Sequence, residues 1–387
     1  MRKLMILIIW GISELFAEGS FPEPVKKPTI CLNMIVKNES AIIEKCLASA
    51  KPFIDYWVIV DTGSNDGTQQ IIQKFMKDIP GELHEKPWVG FDHNRTEALE
   101  LAKNKADYLL FVDADEEIVV PSNFTLPALE KDYYLATFKD KELLCSRIFL
   151  VSTRRDWKYV GAMHEQLSST SAQTYALLKD LCCNRKTDLS ARSQDSKKYH
   201  KDAQILEEAL RKDPLNTRNI FYLAQSYLNA KEYNLALQNY QKRSVMGGDE
   251  QEVFWSLFLT GAIERELNFP FEMVVSSYQK AYQNRPTRVE PLVHLCNYLI
   301  DSNQMIVAYC IGKLAITISY PEGEVGGNIE LSAYQYGSRL ALAKAALGLG
   351  KYEEAQSLLE VVSLHKNLPE DVFQHTQKLL QLCLKKK

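Results

Sequence analysis

The chain has 387 residues, of which 46% are hydrophobic and 25% are charged, a composition typical of globular proteins. This length exceeds what one small core requires and predicts two domains. The net charge of −3 at pH 7 excludes a strong electrostatic attraction to nucleic acid or to anionic membranes. The eight cysteines form no C-x-x-C pair, so neither a zinc site of that type nor a redox motif is indicated.

Residues 1–28 are predicted to be a signal-like or anchor segment followed by a proline-rich spacer. MRKLMILIIWGISELFAEG has a basic start, an apolar stretch from Leu4 to Ile12 and small residues around Ala17. That stretch is shorter than a membrane span and is typical of a secretory signal, with an apolar tail packed on the domain as the alternative. A signal predicts an envelope, secretory or peripherally membrane-associated protein. Without a signal, a cytoplasmic protein is expected.

From residue 29 to about residue 167, short β-rich segments alternate with amphipathic helical segments. Near-continuously apolar strands that alternate with helices predict a mostly parallel sheet covered on both faces. Ligands of such sheets bind outside the C-terminal ends of the strands. The predicted elements are strands over 29–36, 56–61 and 108–115, and helices over 40–50, 68–78 and 95–106.

Polar residues follow the predicted strands at the edge where ligands bind. Residues 37–39 follow the first strand, Asp61 ends the second, and Asp113 and Asp115 follow the apolar stretch LLFV. In an extended chain, carboxylates at i and i+2 project to the same side. Carboxylate oxygens suit Mg²⁺ or Mn²⁺, whereas the alternative is a solvated turn, because D-x-D also occurs by chance. Residues 116–117 are expected to be solvated or to lie behind such ligands.

The segment DWKYVGAMHEQL (156–167) is a second candidate for the site, because an aromatic-rich stretch leads to adjacent His164 and Glu165. His164 is a candidate metal ligand, since a neutral imidazole tolerates Mn²⁺. Glu165 is a candidate general base that takes a proton from an acceptor. The two roles can be exchanged, or Glu165 can orient His164. A hydrogen-bonded structural pair is the alternative.

TICLNMIVKNES, VIVDTGSNDGT and LLFVDADE, in this order and spacing, resemble a family 2 glycosyltransferase of the GT-A fold. The resemblance implies an α/β nucleotide-sugar-binding domain and a metal-dependent enzyme. It implies a divalent cation, Mn²⁺ or Mg²⁺, on the diphosphate of a nucleotide-sugar donor. It also implies transfer of the sugar with inversion at the anomeric carbon. The expected function is therefore glycosyl transfer to an acceptor.

The resemblance also implies roles for the predicted site residues. Asp115 would be the direct metal ligand, and Asp113 would contact the ribose or the metal. Asp61 would recognise the nucleobase. Family 2 enzymes of this kind carry a similar His-Glu pair after W-x-Y-x-G. The remaining donor-binding positions are Asn38, Glu39 and Arg95, the last with an exposed helix charge as its alternative.

After the polar stretch 186–202, small and aromatic residues recur at tetratricopeptide spacing, most clearly in 219–243 and 341–359. The period is about 34 residues with irregular insertions. The pattern predicts an all-α tetratricopeptide-like solenoid, with an unrelated helical bundle as the alternative. Such stacks form concave interaction surfaces, which favours recruitment of a protein, peptide or glycan acceptor. The predicted domains are a catalytic domain over 29–195 and repeats over 196–383.

The resemblance extends to glycosyltransferases that fuse this catalytic domain to such repeats, through R-S-x-D-x-K-K-Y (192–199) and Y-L-A-Q-S-Y (222–227). About 165 residues is compact for this catalytic fold, so the acceptor side is expected to be abbreviated or borrowed from the repeats. The alternative function is a repeat-based interaction scaffold with an inactive transferase domain. A nucleotidyltransferase is disfavoured, because KNES stands where a glycine-rich basic phosphate loop is needed.

Overall fold

The structure, a computed structural model, describes residues 27–186, 190–322 and 327–386. The signal-like segment predicted at the N-terminus lies, up to residue 26, outside the described residues. Among the helices that are described, none combines the length and the apolar character that crossing a membrane requires.

The N-terminal part is built on a mixed sheet with the order β3-β2-β1-β4-β7-β6-β10-β5, to which β11 adds beside β7. Strands β8 and β9 form a separate two-stranded ribbon. The described strands are β1 (Ile30–Val36), β2 (Tyr56–Asp61), β3 (Gly81–Glu85), β4 (Tyr108–Phe111), β5 (Glu116–Val119), β6 (Tyr133–Asp140), β7 (Leu143–Ser152), β8 (Lys158–Val160), β9 (Gln166–Ser168), β10 (Tyr175–Arg185) and β11 (Ile329–Glu330).

The half of the sheet formed by β3, β2, β1 and β4 is parallel and has a helix layer on each face, as the sequence predicts. Strands β1, β2 and β4 are almost continuously apolar because both faces are covered, with Asn33 and Asp61 as polar exceptions. One face packs against α1 (Ile43–Ala50) and α2 (Thr68–Phe75), and the other against α3 (Phe91–Ala102). The central buried residues are Leu32, Ile59 and Leu110 on the first face and Cys31, Val58 and Leu109 on the second.

Beyond β4 the prediction of a mostly parallel sheet is wrong. Strand β7 is antiparallel to both β4 and β6, and β5 is antiparallel to β10. A tight turn that contains Lys141 in the left-handed region (φ 54°) joins β6 to β7. Such a connection needs no crossover helix and therefore leaves no helical pattern in the sequence. The predicted strand over 108–115 also ends early, at Phe111, because the chain turns there.

The C-terminal part is helical apart from β11, and consecutive helices pack against one another from α5 to α14. Glycines permit close approach: a Cβ on Gly261 would lie 3.1 Å from the Tyr278 ring, and one on Gly312 would lie 3.0 Å from the Leu342 backbone. The predicted small positions Ala224, Ala236 and Ala308 are fully buried. The described helices are α4 (Ala191–Gln194), α5 (Lys198–Lys212), α6 (Thr217–Asn229), α7 (Tyr233–Ser244), α8 (Glu250–Glu266), α9 (Phe271–Asn284), α10 (Glu290–Asp301), α11 (Met305–Ala315), α12 (Ser338–Gly348), α13 (Tyr352–Ser363) and α14 (Glu370–Lys386).

The two parts of the chain share the sheet. Strand β11 lies in the connection between α11 and α12 and pairs with β7, with Ile329 opposite Leu144. The carbonyl of the preceding Asn328 accepts from the Trp255 indole (3.0 Å) and from Arg288 (2.7 Å), both of the helical part. This segment therefore joins the helices to β7 of the sheet.

Candidate active site

Three carboxylates converge where the chain turns between β4 and β5. Asp113, Asp115 and Glu116 have ligand oxygens that all lie within 4.8 Å of one another. The turn is closed by two hydrogen bonds, from the Asp113 N–H to Glu116 Oε2 (2.9 Å) and from the Glu116 N–H to the Asp113 carbonyl (3.0 Å). The predicted pair of acids is thus brought together by a turn rather than by an extended chain, and Glu116 joins it.

Each carboxylate of this group contacts an arginine. Arg95 Nη2 lies 2.6 Å from Asp113 Oδ1, Arg185 Nε lies 3.2 Å from Asp115 Oδ2, and Arg147 Nη2 lies 3.0 Å from Glu116 Oε1. The sequence predicted Arg95 but not the other two. Both come from the antiparallel strands β7 and β10, which distant pairing brings to the site. No local motif marked them.

Burial and charge oppose each other among these acids. Burial raises the pKa of Glu116 to about 7, an effect that Asp113 reinforces and Arg147 opposes. Burial also acts against ionisation of Asp113, but Arg95 and Arg147 hold its pKa below its usual range. Because the Glu116 side chain is only 1% exposed, the expectation of a solvated acid at this position is wrong.

The donor set fits a hard divalent cation. Three carboxylates offer oxygen ligands at mutual distances that one ion can span. Glu116 Oε1 is buried and accepts no hydrogen bond, and Arg147 Nη2 lies 3.0 Å from it as its ionic partner. Among the described residues, His164 is not part of this carboxylate group. Its role as a metal ligand stays a prediction.

Arg95 connects this group to the segment around His164 and Glu165. Its Nε lies 2.6 Å from Glu165 Oε1 while its Nη2 contacts Asp113, and its side chain is only 18% exposed. The guanidinium also lies 5.7 Å from the centre of the Tyr159 ring, in the aromatic-rich stretch noted in the sequence. The alternative of an exposed helix charge is therefore wrong for Arg95. A candidate base and a candidate metal ligand share one arginine.

His164 points in a different direction from Glu165. Its ring stacks on Tyr222 of α6, with centroids 4.0 Å apart and planes within 10°. Although His164 is exposed, desolvation by the surrounding chain, with repulsion from Arg192 and Arg218, lowers its pKa to about 3. Its imidazole is consequently neutral at physiological pH.

The remaining predicted donor residues lie around the turn after β2. Asp61 is fully buried; its Oδ1 accepts from the N–H groups of Gly63 (2.9 Å) and Ser64 (2.8 Å), and its Oδ2 has no hydrogen-bond partner. Asn38, in the left-handed region (φ 56°), accepts from the Asn65 N–H at 2.8 Å. The same turn therefore holds both predicted residues.

Glu39 lies between this turn and the carboxylate group. Its N–H donates to the Thr68 hydroxyl at 2.8 Å. Desolvation, together with repulsion from Asp115, Asp66 and Asp113, raises the pKa of Glu39 to about 7. The predicted donor residues and the candidate metal ligands thus form one continuous electrostatic site.

An open cavity of about 290 Å³ adjoins the carboxylates. Asp115 and Glu116 line it, and Lys45, Lys141 and Arg185 contribute positive charge to its wall. A cavity with this mixture of charges suits an anionic group that binds beside a cation.

Residues 31–120 match the family model "Glycosyl transferase family 2". The chain therefore contains a family 2 glycosyltransferase domain, and the predicted enzyme class, a glycosyltransferase, is confirmed. The matched stretch contains β1 to β5 and ends just past the carboxylate group. Glu165, Arg147 and Arg185 lie outside it.

Similar proteins include an uncharacterized glycosyltransferase of Rickettsia felis, 25% identical over 70% of this chain and 91% of that protein. A TPR repeat-containing protein of Synechococcus elongatus is 34% identical over 24% of this chain and 21% of its own length. Glycosyltransferase SunS of Bacillus phage SPbeta is 35% identical over 23% of this chain and 20% of its own length. The chain thus spans most of the first relative and about a fifth of the other two.

Solved structures of tetratricopeptide proteins also resemble the chain. MamA is 12% identical, with a TM-score of 0.33 over 51% of this chain and 95% of that one. The thermophilic TPR protein TTC0263 of Thermus thermophilus is 17% identical, with a TM-score of 0.33 over 48% of this chain and 91% of its own.

Proposed function

We propose that the chain transfers a sugar from a nucleotide-diphosphate donor to an acceptor hydroxyl or amide, with inversion and with the help of a divalent cation. The observation that carries the proposal is the Arg95 side chain, which contacts Asp113 and Glu165 at 2.6 Å each. This arrangement fixes a candidate base beside candidate ligands for the donor's cation.

The donor would bind along the ends of β1, β2 and β4. The unpartnered Oδ2 of Asp61 offers an acceptor for an N–H of the nucleobase, and Asn38 and Glu39 would line the nucleotide pocket. Asp115, Asp113 and Glu116 would hold Mn²⁺ or Mg²⁺, which neutralises charge on the departing diphosphate. The wall of the adjoining cavity mixes acids with the basic residues Lys45, Lys141 and Arg185, and these bases support the same placement of the phosphates.

Glu165 is the proposed base, because its carboxylate contacts Arg95, which also contacts Asp113, whereas the His164 ring lies on Tyr222. A bond forms between the acceptor atom and the anomeric carbon on the face opposite the leaving group. The bond from that carbon to the diphosphate oxygen breaks, and the nucleoside diphosphate leaves with the electron pair. The acceptor's proton passes to Glu165.

The proposed division of the chain is a catalytic domain over 29–195 and repeats over 196–383. The repeats favour a protein, peptide or glycan as the acceptor, because helical repeats present large surfaces. A scaffold with an inactive transferase domain is the competing function.

The first experiment is a thermal-unfolding panel of UDP-, GDP- and dTDP-sugars with and without Mn²⁺. At a 100-fold excess over its dissociation constant, a donor adds about 2.7 kcal/mol, which corresponds to a rise in Tm of roughly 3 °C for a chain of this length. One donor should stabilise the protein, and only with Mn²⁺. The Asp115→Asn variant should lose this rise.

Glu354→Gln is the matched control, because Glu354 is a partly exposed acid of the repeats that pairs with Lys313 at 3.0 Å, outside the three-carboxylate group. Its donor-dependent rise should equal that of the wild type. If Asp115→Asn keeps the Mn²⁺-dependent rise, the carboxylates do not hold the cation. If folded wild type responds to no donor, the scaffold function is favoured instead.

A further inference from the structure

The turn that carries Glu165 has a backbone that needs external support. It connects β8 to β9, and two of its residues have positive φ: Gly161 at 123° and His164 at 52°. Glycine adopts such angles at little cost, but histidine does so only when its surroundings hold it there. The contacts of His164 therefore decide where the neighbouring Glu165 lies.

Those contacts come from the helical part of the chain, through α6. Arg218 Nη2 donates to the His164 carbonyl at 2.9 Å, and the Tyr222 ring stacks on the imidazole. One turn of helix separates Arg218 from Tyr222, so both lie on the same face of α6. This face holds both the backbone and the side chain of His164.

Arg218 is itself fixed within the repeats. Its Nη1 lies 3.1 Å from Glu252 of α8, and its Nη2 donates to the Tyr222 hydroxyl at 3.2 Å. Glu252 is 8% exposed and also accepts from the fully buried Arg243 at 3.0 Å. A continuous chain of ionic contacts thus runs from the interior of the repeats to the His164 carbonyl.

Three successive residues of the turn have different environments. Met163 is buried among Ala203 and Leu206 of α5 and Leu223 of α6. His164 stacks on α6, and Glu165 faces Arg95 in the catalytic domain. The turn is therefore anchored in the repeats on one side and presents its carboxylate to the catalytic site on the other.

The pairing of β11 with β7 provides a second, independent contact between the two parts. Two separate contacts fix the orientation of the helices on the sheet better than one linker can. This arrangement differs from that of a recruiting module on a tether, which would leave the catalytic turn unsupported.

We infer that helix α6 of the repeats completes the active site, with Arg218 and Tyr222 as positioning residues that hold the His164 turn so that Glu165 faces the acceptor. This inference rests on the proposed function, in which Glu165 is the base. It goes further by assigning the acceptor side of the site to the repeats, which explains why the catalytic domain is compact. On the donor side, Asp61, Asn38 and Glu39 contact residues 63–68 rather than α6.

The test separates donor binding from transfer. The probe is the sugar nucleotide that stabilises wild type most with Mn²⁺, and the acceptor is water, with release of nucleoside diphosphate as the readout. Tyr222→Leu and Arg218→Met should each lower the rate of release about 10- to 100-fold, since a small misplacement of a reacting group costs that much. The donor-dependent rise in Tm should stay within about 1 °C of wild type, because the donor contacts are intact.

Conservative variants and a matched control make the test specific. Tyr222→Phe keeps the stacked ring and Arg218→Lys keeps a positive donor near the carbonyl, so both should retain more activity than Tyr222→Leu and Arg218→Met. Tyr298→Leu removes a ring that stacks on Phe271 within the repeats (5.6 Å between centroids) and should release nucleotide at the wild-type rate.

The possible outcomes distinguish the two proposals. If wild type shows no Mn²⁺-dependent donor response, the proposed function fails and the inference fails with it. If wild type responds and Tyr222→Leu and Arg218→Met release nucleotide at the normal rate, only the inference is overturned. A parallel loss of donor response and release in these variants also overturns it, because α6 would then support the whole fold rather than the Glu165 turn.

Discussion

Arginine and carboxylate side chains cluster in two regions of this molecule, and the two clusters differ in how completely the protein itself satisfies them. In the repeats, Arg288 and Glu290 are both fully buried, and Arg288 Nη2 also donates to the Asn328 carbonyl at 2.7 Å. The Tyr334 hydroxyl donates to Glu290 at 3.0 Å. This cluster is closed to solvent and each charge has partners within the fold.

At the catalytic site the acids are equally crowded, but their arginine partners remain partly exposed. Arg147 is 41% exposed and Arg185 is 38% exposed, against 0% for Arg288. Glu116, by contrast, is buried and has a raised pKa. Arginines that can move into solvent allow a ligand to replace them, whereas a sealed pair cannot exchange partners. The degree of enclosure therefore separates a structural cluster from a candidate binding site.

The largest effect on stability should come from breaking the enclosed cluster. Glu290→Gln keeps the shape of the side chain but leaves Arg288 buried without its ionic partner. Removing one member of a buried pair costs about 3 to 5 kcal/mol of unfolding free energy. Urea unfolding followed by fluorescence and circular dichroism measures this loss, and the fluorescence includes Trp255, whose indole donates to Asn328 beside the pair.

Asp115→Asn is the matched change in the open cluster. It should alter the free energy of unfolding by less than about 1 kcal/mol, because Arg185 can turn to water when its partner is neutralised. Equal losses in the two variants would remove the distinction between the clusters. So would a Glu290→Gln variant that unfolds at the urea concentration of wild type.

The contrast between enclosed and open clusters also explains what the sequence could predict. Strands β1, β2 and β4 of the parallel half were predictable because helices cover both faces and the strands are almost continuously apolar. The polar residues at their ends were predictable for the same reason: an abrupt change from apolar to acidic residues is a local signal. Arg95, Asp113 and Glu165 accordingly lie together in the structure.

The other half of the site has no such signal. Arg147 lies on β7, which is antiparallel to β4 and β6, and Arg185 lies on β10, which is antiparallel to β5 and parallel to β6. Burial along β7 increases from its start to its end, without the alternation that is typical of a half-buried strand. Glu116 is buried because the chain folds back in the turn after Phe111. The prediction from the D-x-D motif assumed an extended chain and therefore did not include this turn. Contacts set by distant pairing could be found only from the structure.

A medium effect is expected at Asp132, an acid that has hydrogen-bond partners and belongs to neither cluster. Its carboxylate accepts from the Gln173 and Thr174 N–H groups at 2.9 Å each and from Arg155 Nε at 2.6 Å. These bonds, that of Gln173 first and that of Arg155 next, hold the pKa of Asp132 below its usual range. Asp132→Asn should cost roughly 1 to 3 kcal/mol at pH 7, because bonds to a charged acceptor are lost or weakened.

The pH dependence of this loss has a definite sign. A carboxyl group whose pKa is lower in the folded state adds stability above its unfolded pKa of about 3.9, and that stability is lost as the pH falls through the folded value. The difference between wild type and Asp132→Asn should therefore be full at pH 7 and smaller at pH 3. Urea unfolding at both values measures it. A difference that stays constant with pH would mean that shape, not charge, makes Asp132 stabilising.

The smallest effect is expected for an exposed ion pair in the repeats. This pair gives a lower limit for what a charge contact contributes to the free energy of unfolding of this protein. Arg265 and Asp301 lie 2.6 Å apart, as close as Arg95 and Asp113, but their side chains are 37% and 60% exposed. Asp301→Asn should change the unfolding free energy by about 0 to 1 kcal/mol and by less at high salt, because water and ions screen the pair. Urea unfolding at low and high salt tests this, with Glu290→Gln as the buried reference. A loss above about 2 kcal/mol at Asp301 would mean that distance rather than enclosure sets the strength of these contacts.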